Sequence, residues 1–241
     1  MNDSLQNQKV IIIGGSSGIG LAVAKLIAAE GANITIASRT KERLEKAAAE
    51  ITGNIAIDTI DTLNEDSIKE FFTRHDRIDH LLNFAGDSMA GGVLNTDVAV
   101  ARNAMESKFW GQFYVGRYGG VKINPTGSLT FTGGSGPRPH QAIATVAANE
   151  GVKALVEALA KELAPVRVNA ISPYYVNTPM WSGMEAKERE ELFKTVGKQL
   201  PIGRVAEIED IAPAYLDIIR STYITGTDIP INGGALLQTI E

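Results

Sequence analysis

A short apolar run that halts at a glycine and restarts as a helix has few ways to fold. Lys9 to Gly20, Lys-Val-Ile-Ile-Ile-Gly-Gly-Ser-Ser-Gly-Ile-Gly, is such a stretch. Val10 to Ile13 is continuous, apolar and mostly β-branched, as a parallel strand buried on both faces requires. It predicts the first, central strand. Gly14, Gly18 and Gly20 lead into Leu21 to Glu30, an Ala-rich segment with Val23, Leu26 and Ile27 at helical spacing. Strand, glycine loop and helix in that order suit phosphate: glycines let backbone N–H groups approach a pyrophosphate, and the helix N-terminus adds partial positive charge. The spacing is Gly-x-x-x-Gly-x-Gly rather than Gly-x-Gly-x-x-Gly, and a ligand-free β–α turn can look the same. The segments that follow have to decide.

The 241 residues predict a single α/β domain over positions 1–241, large enough to bury roughly 70–75% of the surface of its unfolded chain. A net charge of -5 without a basic run speaks against nucleic acid and against an anionic membrane surface. The absence of Cys removes disulfides, thiolate metal sites and a cysteine nucleophile, and His75, His80 and His140 are too scattered for metal-ligand spacing, so no metal is expected. Met1 to Gln8 is polar, and no stretch approaches the roughly 20 apolar residues of a membrane span. The expectation is a soluble, cytoplasmic protein.

Asn33 to Ala37 reads as the second strand. Where such a strand meets an adenosine ribose, an acidic side chain would select NAD. Here the residues are Ala37, Ser38 and Arg39, and a guanidinium beside a small hydroxyl suits a 2′-phosphate, favouring NADP(H) over NAD(H). Arg39 has a second reading, as the start of a solvated helix from Thr40 to Ile51 beside Lys41 and Arg43. Asn54 to Ile60 is a third strand followed by Asp61-Thr62-Leu63, with a helix beginning near Asn64 to Asp66. Asp79 to Phe84 is a fourth, running into Asn83-Phe84-Ala85-Gly86.

With these segments in place the chain resembles the short-chain dehydrogenase/reductase superfamily. Gly14, Gly18 and Gly20, with Ser16, Ser17 and Ile19 between them, match its glycine motif; Asp61, followed by Thr62, matches its adenine-contacting acid; Asn83, Ala85 and Gly86 match its Asn-Asn-Ala-Gly. Ile13 stands where a Thr is usual and Phe84 replaces the second Asn, both at positions of loop support. Leu163 to Pro179 is similar to the family's sixth strand and nicotinamide loop, which brings Pro173, Val176 and Thr178 to the cofactor. Pro201 to Asp210 and Ile224 to Gly234 resemble its late helix, last strand and Gly-Gly ending. The resemblance covers nearly the whole chain. It implies a Rossmann fold, a doubly wound, mostly parallel seven-stranded sheet with helices on both faces, an NADP(H) cofactor, a small-molecule substrate, and a homodimer or homotetramer formed through the helix Ala142 to Ala164.

The same resemblance implies a catalytic tetrad of Asn, Ser, Tyr and Lys, and this chain departs from it. Lys108 stands at the Asn position, Gly134 at the Ser position with Ser135 next, Thr145 at the Tyr position and Asn149 at the Lys position; Phe131 to Leu163 holds no Tyr. General acid–base work near neutral pH needs a group whose pKa can be brought there. Lys108 and Asn149 exchange the family's residue types, which keeps an ammonium near the nicotinamide as proton donor or as a clamp on a developing alkoxide; pairing with Glu106 or a phosphate is the bland alternative. Thr145 offers only an alkanol. His140, between the fifth strand and the next helix, and Tyr174, at the family's Pro-Gly position, supply an imidazole and a phenol, against the readings of an exposed loop residue and a space filler. Phe109, Trp110 and Phe113 read as core, and a lid with a charged helix from Gly183 to Glu191, beside Met180 and Trp181, is expected between Thr178 and Leu200. Two functions fit: an NADP(H)-dependent oxidoreductase for carbonyl or alcohol with an atypical site, or an NADP(H)-binding protein without turnover, acting as sensor, partner subunit or scaffold.

Overall fold

The computed structural model describes residues 5–86 and 89–237. Seven strands, β1 (Lys9–Ile13), β2 (Asn33–Ser38), β3 (Asn54–Thr59), β4 (Ile78–Asn83), β5 (Ile123–Thr132), β6 (Arg167–Pro173) and β7 (Thr227–Ile231), form one sheet in the order β3-β2-β1-β4-β5-β6-β7. Every pairing is parallel. Helices α1 (Gly18–Ala29), α2 (Lys41–Ala49), α3 (Glu65–Arg74), α4 (Val98–Met105), α5 (Gly111–Gly119), α6 (Ile143–Glu162), α7 (Ala186–Gln199) and α8 (Ile208–Arg220) complete it. This is the expected doubly wound α/β architecture.

The apolar run of β1 explains the layering. Val10 and Ile12 point to one face, where they pack with Val23 and Ile27 of α1 and Ile211 and Ile218 of α8. Ile11 and Ile13 point to the other, with Phe71 of α3, Val115 of α5 and Val156 of α6. All four strand residues are at most 1% exposed, each worth about 1.5–3 kcal/mol of transfer free energy. Because β1 has β2 on one side and β4 on the other, the chain reverses direction across the sheet there, and the carboxyl ends of β1 and β4 flank a crevice. The expected cofactor residues all lie at that edge.

Several boundaries move. β5 begins at Ile123 rather than Gly127 and ends at Thr132 rather than Gly134. Ile123 pairs with Ile78 before a register shift, Asn124 Nδ2 donates to Asp79 Oδ1 at 2.7 Å, and Gly127 passes so close to the Asp79 carbonyl that a Cβ would collide with it. The strand thus carries an irregular entry that alternation could not reveal. The charged lid helix expected from Gly183 to Glu191 is α7, beginning at Ala186, with Met180 and Trp181 in a short 3-10 turn before it. Phe109, Trp110 and Phe113 form a ring cluster with Tyr114 at the rim of the core, where Phe113 and Tyr114 pack against it while Trp110 is 38% exposed.

Inside the sheet, His80 is 4% exposed, with Nδ1 2.7 Å from Ser128 Oγ and Nε2 2.7 Å from Gln8 Oε1. Desolvation, and then the Arg167 charge, push its pKa down to about 4 against the small opposing effect of Asp79. The folded state therefore prefers neutral imidazole. Its contribution is complete above pH 6.5 and is lost as pH falls toward 4, about 2 kcal/mol of it between pH 7 and pH 5. Urea unfolding of the wild type and His80→Gln at those two pH values should show a steeper loss in the wild type by that amount; parallel losses would contradict a buried neutral histidine.

Candidate active site

The crevice is built first from backbone. Gly14 extends β1 by one residue, donating its N–H to the Ala37 carbonyl at 2.8 Å with φ +84°. A Cβ on Gly20 would fall onto the Gly14 carbonyl oxygen, so the turn closes only with glycine at 20. Gly18 opens α1 at φ +55°, with Thr178 and Pro179 lying against it. The loop after β6 therefore covers the glycine loop. Ser17, the N-cap of α1, forms no side-chain cap, and the first turn carries no acid, which leaves the helix N-terminus facing the crevice unneutralised. Ser16 and Ile19 are half-buried in the same loop, Ile19 packing on the α1 side of the core.

Side chains complete the edge. Ser38 closes β2, and Arg39 beyond it is exposed. Asp61 holds its own turn, accepting from Leu63 N–H at 3.0 Å while its N–H donates to Ser67 Oγ, and Thr62 lies against Gly111 at the start of α5. Asn83 Oδ1 accepts from Ala85 N–H at 3.1 Å, and Gly86, at φ +144°, packs on Lys108. Pro173 ends β6, and Val176 is buried and bridged to Ala206. Among the described residues six buried side-chain polar atoms have no hydrogen-bond partner; Gln112 Oε1, Thr130 Oγ1 and Asn149 Oδ1 belong to α5, β5 and α6, and Ser38 Oγ, Asn83 Nδ2 and Thr178 Oγ1 belong to residues of this edge. Each would cost about 1–3 kcal/mol if left bare. Donors and acceptors without partners beside an open helix N-terminus and a glycine cradle fit the hydroxyls, amide and phosphates of a dinucleotide.

At the candidate catalytic end Lys108 and Asn149 converge on adjacent residues, Gly133 and Gly134. Lys108 is 4% exposed, sits in a π-helical turn (Glu106–Trp110) between α4 and α5, and donates from Nζ to the Gly133 carbonyl at 3.2 Å. Such a turn, rare in helices and frequent at functional sites, swings Lys108 inward. The amide of Asn149 lies against Gly134, where a Cβ would come within 2.8 Å of Nδ2. Gly133 and Gly134 are thus the backbone seat of both.

The other candidates are placed differently. The Thr145 hydroxyl donates to the Met89 carbonyl at 2.9 Å and accepts from Met89 N–H at 2.8 Å, so its one proton is committed to pinning the loop after β4. Ser135 turns toward β7, where Oγ accepts from Asn232 Nδ2 at 2.9 Å. His140 is exposed on the turn before α6. The Tyr174 ring fills the space left by Gly136 and meets Tyr175 edge-on; burial pushes its phenol up, which keeps it protonated.

Sequence reasoning missed Gln112. It is fully buried, with Nε2 donating to the carbonyls of Lys108 (3.0 Å) and Thr132 (3.1 Å), tying the π-turn to the end of β5. Its position four residues after Lys108, one helical turn on, was the available signal. Met89, which acts through its backbone, gave none. Among the described residues no group of three His, Asp or Glu could hold a metal, and no helix is long and apolar enough to cross a membrane.

The family model described as enoyl-(acyl carrier protein) reductase matches residues 14–235. A short-chain dehydrogenase/reductase of Stachybotrys chlorohalonatus is 33% identical over 256 residues, 98% of this chain and 99% of the relative. Carbonyl reductase family member 4 of Xenopus tropicalis is 29% identical, covering 94% and 97%. Among solved structures, a small-chain dehydrogenase in complex with NADPH superposes with a TM-score of 0.82 at 33% identity, over 96% of this chain and 100% of the other. The MalC reductase/Diels-Alderase from Malbranchea aurantiaca gives 0.88 at 28%, over 98% and 99%. In fold, motif order and extent of match, this chain belongs to the short-chain dehydrogenase/reductase superfamily.

Proposed function

We propose that the chain is one dinucleotide-binding domain over residues 1–241 that holds NADP(H) in the crevice and catalyses oxidoreduction of a small carbonyl or alcohol substrate, as a homodimer or homotetramer. The observation that carries this reading is the set of three partnerless buried atoms at Ser38, Asn83 and Thr178, which end β2, end β4 and lie against Gly18 of the glycine loop. The bound cofactor supplies or accepts the hydride. The protein's part is to bind the pyrophosphate at Gly14 to Gly20, to hold the nicotinamide end between Asn83 and Thr178, and to place the Lys108 ammonium where negative charge develops on the substrate oxygen.

Arg39 and Ser38 set the preference for a 2′-phosphate. Arg39→Asp is expected to weaken NADPH binding about 10- to 100-fold and to strengthen NADH binding, because an exposed cation is replaced by an acceptor for the 2′-hydroxyl. Titration of both cofactors against Trp110 and Trp181 fluorescence reads this directly. Unchanged affinities would return Arg39 to the solvated start of α2.

A second reading, binding without turnover, is favoured by one observation: the Thr145 proton is committed to Met89, so no hydroxyl is offered at the position where the family places its phenol. Single-turnover reaction of protein in excess over NADPH with aldehydes, ketones and quinones separates the two. Loss of nicotinamide absorbance with any of them supports the enzyme, and tight binding with no loss supports a sensor, partner subunit or scaffold.

A further inference from the structure

Behind the loop that ends β5, between α6 and β7, lies a cavity of about 310 Å3 whose lining includes Val146, Asn149, Glu150 and Lys153 on one side and Asp228 and Pro230 on the other. The first four recur at i, i+3, i+4 and i+7 and so share one face of α6. Two acceptors in it lack what they require. Asn149 is 4% exposed and its Oδ1 has no partner among the described residues. Asp228 is half-buried and accepts from Ser172 Oγ at 2.5 Å on Oδ1; the ion pair nearby joins Lys153 to Glu150 at 2.6 Å, so that Lys153 acts on Asp228 only from beyond ion-pair contact, and among the described residues Asp228 forms no ion pair.

A carboxylate partly removed from water needs a positive partner, and a buried amide oxygen needs a donor. One ligand can answer both. We propose that this cavity binds a small organic ammonium ion, its N–H groups directed to Asp228 and Asn149 and its hydrocarbon part lying against Val146, Pro230 and Leu236. Two carboxylates against one lysine disfavour an anion, and one free carboxylate with one amide is too poor a donor set for a divalent metal. The volume is at the lower end for a small-molecule site, consistent with an amine of a few carbons to the size of one ring. Burial pushes the Asp228 carboxyl up, with Ser172 and Lys153 pulling it down and Glu150 adding to the rise. Ammonium binding should therefore weaken as pH is lowered through the range where Asp228 takes up its proton.

The test uses the full chain without cofactor, so it stands apart from the reading of the crevice. n-Butylammonium chloride is titrated against sodium chloride and 1-butanol controls, by calorimetry and by the methyl NMR signals of Val146 and Leu236. Saturable binding with a dissociation constant below about 10 mM is expected, at least about ten-fold tighter than 1-butanol. Asp228→Asn, which keeps an acceptor for Ser172, should lose at least about ten-fold in affinity, and Lys153→Met, at the exposed mouth, should gain about three-fold. Equal binding of the ammonium and the alcohol, indifference to Asp228→Asn, or no saturation in that range would each overturn the assignment.

Discussion

Gly20→Ala is expected to lower NADPH affinity by more than about 100-fold, close to 3 kcal/mol, and to destabilise the fold at the same time. The added methyl would fall on the Gly14 carbonyl oxygen, a backbone atom in the turn that joins β1 to α1. Neither side can yield cheaply. Gly14 is tied to Ala37 by its N–H and already sits at φ +84°, while Gly20 is in the first turn of a helix whose Val23, Ala24 and Ile27 are locked into the core. Relief must come from tilting α1 or opening the loop, and either displaces the N–H groups that would meet the pyrophosphate. Gly183→Ala provides the comparison, since a Cβ there meets nothing within 4 Å. Tryptophan fluorescence titration and thermal unfolding of the two variants check the claim. A Gly20→Ala protein that binds NADPH within about three-fold of wild type would show that the loop does not grip phosphate.

What could be read from residues alone divides along the same line as this steric argument. The β1 run, the glycine loop and the order of strands were legible because burial on both faces and tight turns restrict residue choice at single positions. Gly14, Gly18 and Gly20 announce themselves. The candidate catalytic end was legible only as a list of types, since Lys108 lies in the π-turn before α5 while Thr145 and Asn149 lie in α6, and their roles depend on what the loops between β4 and α4 and between β5 and α6 bring beside them. Thr145 looked like a weak substitute for a phenol. It proves to be a clamp on Met89, and no local pattern encodes a bond to another residue's backbone. Gln112 and the π-turn were missed for a related reason: helical periodicity runs through the turn and hides the extra residue that rotates Lys108 inward.

That inward rotation is the basis of the second large effect. Lys108→Met should lower turnover by about 100-fold or more while changing NADPH affinity by less than about ten-fold. Methionine keeps most of the length and packing against Gly86, so the loss would belong to the ammonium. A stability cost of about 1–3 kcal/mol is expected as well, because the Gly133 carbonyl loses its donor in a buried place. Lys108→Arg separates the two roles. A guanidinium retains charge and can still bond a carbonyl, but its planar fork cannot occupy the volume of a compact ammonium in a fully enclosed turn, so stability should recover further than turnover. The comparison must be made on kcat and on thermal midpoint together. If both variants lose stability and leave turnover intact, Lys108 is a bracket that holds the Gly133–Gly134 seat, and proton delivery has to come from a group that reaches the substrate from outside α4 to α6. Of the candidates the chain offers, that leaves the protonated phenol of Tyr174, on the loop after β6 that also covers the glycine loop.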